Sequence, residues 1–290
     1  MTDSGLTRAR GSCLCQDIRW EITGPLSEMS HCHCEMCRKA HGTAFATYAT
    51  VRSADFRWLS GEAGICHFQS SPGLDRPFCG RCGSCVPGES EAFKGELGVP
   101  VGPLEGDFEE RPRCHIFVAS AAPWHDVPDD LPRYDAWEPG DESPQATLPA
   151  RTPGAAGERT GSCLCGGIAY AIEGPILGLV NCHCSRCRRA RAAAHGSNGF
   201  SKPAHFQWLV GEALLRHYRL PDAEAYGQTF CSTCGSPMPR VDPERDLVGV
   251  PAGSLDIDPG VREGVHIFWD SKATWFDVAD GLPRFPEAVR

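Results

Sequence analysis

The chain has 290 residues, 37 acidic and 28 basic side chains, a formal net charge of −9 and 41% hydrophobic residues. That length suits two compact domains better than one core. The acidic balance works against nonspecific attraction to nucleic acid or an anionic membrane surface, and the lack of a long apolar run argues against a membrane span.

The opening MTDSGLTRAR has no apolar stretch of the kind a secretory signal needs, so the cytoplasm is the expected compartment. The chain carries seventeen cysteines, an odd number at tight spacings, which read as metal ligands in a reducing compartment rather than as a disulfide framework. GSCLC stands at 11–15, and short apolar segments at 18–22, 44–51, 56–59 and 114–118 alternate with Gly and Pro, which predicts strands. CHCEMCRKA at 32–40 carries the candidate helical turn at Arg38, Lys39 and Ala40, and FCGRCGS begins at Phe78. GSCLC and CHCSRCRRA recur 150 residues later, at Cys163 and Cys182. FCSTCGS at Phe230 and HIF at His266 continue the match, which makes the chain a tandem duplication. Residues 138–160, rich in Pro, Gly and small polar side chains, read as a linker between domains at 1–137 and 161–290. Such a linker permits either an internal pseudo-dimer or two independent beads.

The cysteines fall into three groups per half. Side chains two apart on an extended strand share a face, so Cys13 and Cys15 are expected to point at one ion. Cys79 and Cys82 bracket the knuckle of a zinc ribbon, and Gly83 gives the chain freedom to leave it. Together these four predict a closed structural zinc site, repeated by Cys163, Cys165, Cys231 and Cys234. Cys32, Cys34 and Cys37, like Cys182, Cys184 and Cys187, have no fourth cysteine at a repeated position. Each trio is therefore expected to hold zinc with one exchangeable position, giving up to four zinc ions per chain. Three thiolates weaken zinc as a Lewis acid, so delivery of a bound thiol as thiolate is the expected chemistry, rather than water activation. A second structural zinc completed by a histidine or a partner, and an empty redox-active trio, are the alternatives.

GSCLC, CHCxxCR, the FxW-G stretch, FCxxCGS and a closing HIF, Trp and LPRY or LPRF, in that order and twice over, resemble the glutathione-dependent formaldehyde-activating enzyme and centromere protein V family. The resemblance implies a mostly β chain of two tandem zinc-pinned β-tent domains of small antiparallel sheets. It implies structural zinc on the first and last cysteine pairs and catalytic zinc on the trio. The implied activity is carbon–sulfur lyase-type: reversible joining of a small aldehyde such as formaldehyde to glutathione or a similar thiol. Each half departs from the pattern once. The expected SKAPW is SAAPW in the first, with Ala121 where Lys272 stands, and the second reads RAAAHGSNGF against HGTAFATYAT, losing aromatic character after its trio. One working site beside a scaffold is therefore an open reading.

His33 and His183 sit between ligands, and an alternating backbone turns them away from the metal, toward the surface or a hydrogen bond. Trp124 and Trp275 read as core, Lys272 as a surface charge, and Cys66, Cys85 and Cys114 as small apolar residues. Arg38, Lys39, Arg188 and Arg189 could meet the carboxylates of glutathione, offset the thiolates or be solvated. Two other functions are consistent with the residues: a non-catalytic zinc-stabilised binding module, and a zinc-type methionine sulfoxide reductase recycled through Cys85 or Cys114.

Overall fold

The computed structural model describes residues 8–89, 94–106, 108–140, 148–224 and 226–288, so part of the expected linker, 141–147, lies outside the described residues. The alternating segments form strands where their period dictates, at Arg19–Ile22, Ala46–Arg52, Phe56–Ser60 and His115–Ile116. In the first half, Leu104–Gly106, Ala9–Ser12, Arg19–Ile22 and Phe56–Ser60 form a four-stranded antiparallel sheet. A five-stranded sheet runs Gly88–Glu89, Glu96–Pro100, Ala46–Arg52, Ser27–Cys32 and His115–Ile116, the last pair parallel. The second half repeats both, with Arg159–Ser162, Ala169–Ile172 and Phe206–Val210 in one sheet. The other runs Arg240–Asp242, Leu247–Pro251, Gly196–Ser201, Leu179–Cys182 and Glu263–Ile267. The chain is mostly β, and no described helix is long and apolar enough to cross a membrane.

The helical turns are longer than their residue types alone suggested. Helix α1 (Glu35–His41) and helix α2 (Ser185–Arg191) begin inside the cysteine motif, because Cys34 and Cys184 act as N-caps. Their sulfurs accept from the Cys37 and Cys187 main-chain N–H groups, both at 3.4 Å.

One apolar cluster runs through both halves, with Trp20, Trp124 and Trp275 buried in it, as core aromatics should be. Contacts between the halves come in reciprocal pairs. Lys39 Nζ meets Asp256 Oδ1 at 2.6 Å, and at the equivalent positions Arg189 Nη2 meets Glu105 Oε1 at 2.5 Å. Phe230 packs over Gly83 and Phe78 over Gly235. Lys39 also donates to the Ser162 and Ser254 carbonyls, at 2.9 and 3.1 Å. It is therefore neither solvated nor free to meet a substrate carboxylate: the opposing half consumes all of its charge. Arg151, within the expected linker, pairs with both Asp256 and Glu35 of α1.

Candidate metal centres

Cys13, Cys15, Cys79 and Cys82 place their sulfurs within 4.8 Å of one another, as do Cys163, Cys165, Cys231 and Cys234. The expected extended strand at the CxC motif is corrected. The strand Ala9–Ser12 ends before Cys13, and the pair occupies a turn closed by Gln16 N–H to the Cys13 carbonyl at 3.1 Å, with Gln16 left-handed at φ 62°. The turn brings both sulfurs inward as a shared strand face would have done, with Cys13 and Cys15 3.3 Å apart and Cys163 and Cys165 3.4 Å apart. The knuckle follows the expected geometry. Gly83 N–H donates to the Cys79 carbonyl at 2.8 Å, and Ser84 Oγ takes the Leu14 N–H at 3.1 Å, tying knuckle to turn. Gly83 and Gly235 are left-handed, at φ 75° and 72°.

Four such groups suit a tetrahedral thiophilic cation. Neighbouring sulfurs at 3.3–3.8 Å lie far beyond a disulfide bond, roughly 2 Å, and close to the edge of a tetrahedron with metal–sulfur bonds of about 2.3 Å. Without a cation the four cannot all be thiolates. Hydrogen bonding with Cys15, Cys79 and Cys82 drives the Cys13 thiol far up, while against burial the same network holds Cys82 far down.

Cys32, Cys34 and Cys37, and Cys182, Cys184 and Cys187, also converge within 4.8 Å. In each trio two members are buried and the middle one, Cys34 or Cys184, is half-buried, as Cys15 and Cys165 are in the four-sulfur groups, so one sulfur fewer is what sets the trios apart. Hydrogen bonds from Cys182 and Cys187 hold Cys184 down to about 3. In the first trio the thiolate instead settles on Cys37, under hydrogen bonds from Cys32 and Cys34, with Arg76 adding to the effect. Arg76 Nη1 and Nη2 lie 3.7 and 3.8 Å from Cys37 Sγ, and Tyr226 Oη donates to Cys187 Sγ at 3.6 Å. Neither residue stands in a repeated motif.

His33 and His183 are fully buried, which corrects their surface reading in favour of the hydrogen-bonding one. His33 Nε2 lies 2.8 Å from His115 Nδ1, and His115 Nε2 lies 3.0 Å from both Asp129 oxygens. His183, His266 and Asp280 repeat the chain at 2.8, 3.1 and 2.9 Å. The carboxylate fixes the proton on His115 Nε2, so His33 Nε2–H donates to His115 Nδ1. Burial lowers His33 to about 2 and His183 to about 3, which keeps both neutral. The repeated spacing of His to Asp near LPR was the available signal. Cys85 and Cys114 are buried, and burial pushes each thiol up to about 12, a poor setting for a recycling nucleophile. Lys272 is half-buried, capping the Ala273 and Phe276 carbonyls.

Fold and clusters define a duplicated cysteine-rich β protein with, among its described residues, two four-sulfur and two three-sulfur groups able to hold metal. The chain belongs to the glutathione-dependent formaldehyde-activating enzyme family, whose signature matches residues 8–120 and 158–271. No curated relative matches it. A crystal structure of a Rhodobacter sphaeroides protein, a Northeast Structural Genomics target, is 27% identical over 33% of this chain and 88% of its own, with a TM-score of 0.29.

Proposed function

We propose that the chain is a zinc-dependent carbon–sulfur lyase-type enzyme that makes and breaks adducts of glutathione, or a similar thiol, with a small aldehyde. Domains at 1–137 and 161–290, joined through 138–160 and packed as an internal pseudo-dimer, would each carry one structural zinc and one with an open coordination position. Cys13, Cys15, Cys79 and Cys82, with Cys163, Cys165, Cys231 and Cys234, would hold the structural ions. Cys32, Cys34 and Cys37, with Cys182, Cys184 and Cys187, would hold the others. The observation that carries this is the contrast of four converging sulfurs with three, in a chain of this family. Zinc at a trio would supply a positive centre that keeps an incoming thiol deprotonated at neutral pH. The sulfur pair then forms the C–S bond as the carbonyl π pair moves to oxygen, which takes a proton in place of the one the thiol lost. The reverse breaks the C–S bond.

The test is metal content and glutathione binding of the full chain before and after Cys34→Ser with Cys184→Ser. About four zinc ions are expected to fall toward two, with loss of glutathione binding and turnover. Unchanged binding and turnover would refute the assignment in favour of a non-catalytic zinc-stabilised module.

A further inference from the structure

Besides the repeated Arg38 and Arg188, each trio is flanked by a guanidinium and a phenol that the two halves draw from different elements. In the first half, Arg76 contacts Cys37, and Tyr48, on the strand Ala46–Arg52, packs against the buried cluster that contains Cys32 and Cys37. The equivalent positions in the second half are Gln228 and Asn198, and Gln228 turns to the Ala190 carbonyl at 3.0 Å. There the guanidinium comes from α2, as Arg191 in place of His41, and the phenol comes from Tyr226. Arg191 lies in the field of Tyr226, Cys187 and Cys182. The second half thus lacks both groups at one pair of positions and carries both at another.

The hydrogen bonds define what such a pair recognises. His41 Nδ1 faces the Arg191 carbonyl at 2.7 Å, an acceptor only, so the ring proton is on Nδ1 and Nε2 accepts from Tyr48 O–H at 2.9 Å. The Tyr48 oxygen therefore keeps its lone pairs. The Tyr226 oxygen does too, since its O–H is spent on Cys187 Sγ. On the donor side, Arg76 has two N–H bonds on each Nη, and Arg191 Nη1 is buried with no hydrogen-bond partner among the described residues. N–H donors beside a phenol acceptor complement a hydroxyl, which both accepts and donates. A carboxylate, which only accepts, would face the phenol lone pairs. The distance to sulfur narrows the choice further: Arg76 Nη1 is 3.7 Å from Cys37 Sγ and Tyr226 Oη 3.6 Å from Cys187 Sγ, within reach of a hydroxyl one carbon from a thiol docked at the trio, while the carboxylates of a tripeptide thiol lie several bonds farther out.

We propose that Arg76 with Tyr48, and Arg191 with Tyr226, hold the oxygen of a sulfur-linked hydroxymethyl group, so that both halves are competent on thiol–aldehyde adducts. This rests on the function proposed above. As the C–S bond forms and the carbonyl π pair moves to oxygen, guanidinium N–H groups stabilise the charge. A solvent proton completes the hydroxyl, which then donates to the phenol oxygen.

The test compares binding of three probes to the zinc-loaded full chain: glutathione, S-methylglutathione, and glutathione with excess formaldehyde, which supplies the S-hydroxymethyl adduct. The parent is expected to prefer the hydroxymethyl to the methyl thioether by about 10–100-fold, as a charged donor and an acceptor on one hydroxyl should give. Tyr48→Phe with Tyr226→Phe, and separately Arg76→Gln with Arg191→Gln, are expected to cut that preference to within about threefold while zinc stays bound. Tyr48→Phe alone should leave half of the sites discriminating. If the arginine variants lose zinc, the phenylalanine pair decides. A parent without preference, or a preference untouched by the phenylalanine pair, overturns this inference and leaves the proposed function standing. A parent that takes up no glutathione overturns the proposed function itself.

Discussion

His195 occupies the place that Phe45 holds in the first half, 5.7 Å from that ring across the contact between halves, and is buried. Burial and the nearby His183 hold its pKa well below 6.5, so it is neutral when folded and protonated when unfolded in mild acid. Below about pH 6.5 the unfolded chain binds more protons than the folded one, so the stability this group contributes at neutral pH is lost as the pH falls. His195→Phe, which installs the residue of the sister half, should flatten that loss by up to about 1.4 kcal/mol per pH unit between roughly pH 6.5 and 5. Urea midpoints of the zinc-loaded parent and variant measure it, and parallel pH slopes would contradict the assignment. Nothing in the sequence marked His195 for this role, because burial at a shared face depends on how two halves meet.

At the scale of elements, the FCxxCGS knuckles serve two surfaces at once. A Cβ on Gly83 would sit 2.4 Å from Phe230 Cγ, at a backbone φ of 75° that side chains disfavour. Gly83→Ala should therefore cost about 2–4 kcal/mol, the sum of strain and overpacking. Gly64→Ala, where a Cβ meets nothing within 4 Å, should cost far less. Denaturant midpoints of the two variants separate these outcomes, and equal costs would show that the knuckle is not clamped by the other half. How much of this could be read beforehand divides along physical lines. The fourteen clustering cysteines were legible because fixed local spacings, repeated at one offset, leave few ways to satisfy so many thiols. The four strands expected in the first half were legible from alternation, to within a residue or two, whereas Ala9–Ser12, Ser27–Cys32 and Glu96–Pro100 carried no such signal that was read. The turn at Cys13 was not, because a left-handed Gln16 gives no compositional signal of the kind a glycine does. Arg76, Tyr48, Arg191 and Tyr226 were not, because their partners are distant in sequence and the two halves solve the same requirement with different residues.

Across the whole molecule, the reciprocal ion pairs are unequal in burial, and that inequality makes a prediction. Lys39 and Asp256 have side chains 2% and 3% exposed, whereas Arg189 and Glu105 are 20% and 58% exposed. Removing one member of a buried pair leaves a charge with neither water nor counterion, and such losses run to about 3–5 kcal/mol. Removing one member of an exposed pair costs about 0–1 kcal/mol. Lys39→Met should fall near the lower end of the first range, because Arg151 also reaches Asp256 Oδ1, at 2.7 Å. Arg189→Met should fall in the second. Both act on a core that is continuous from Trp20 to Trp275, so a domain that unfolded alone would expose the face of the other. The zinc-loaded chain should then unfold in urea as one transition by fluorescence and by circular dichroism together. Lys39→Met should shift that transition as a whole, to lower urea at unchanged slope. Two separated transitions in the parent, or a Lys39→Met effect confined to one of them, would mean that the halves are energetically independent beads on a linker.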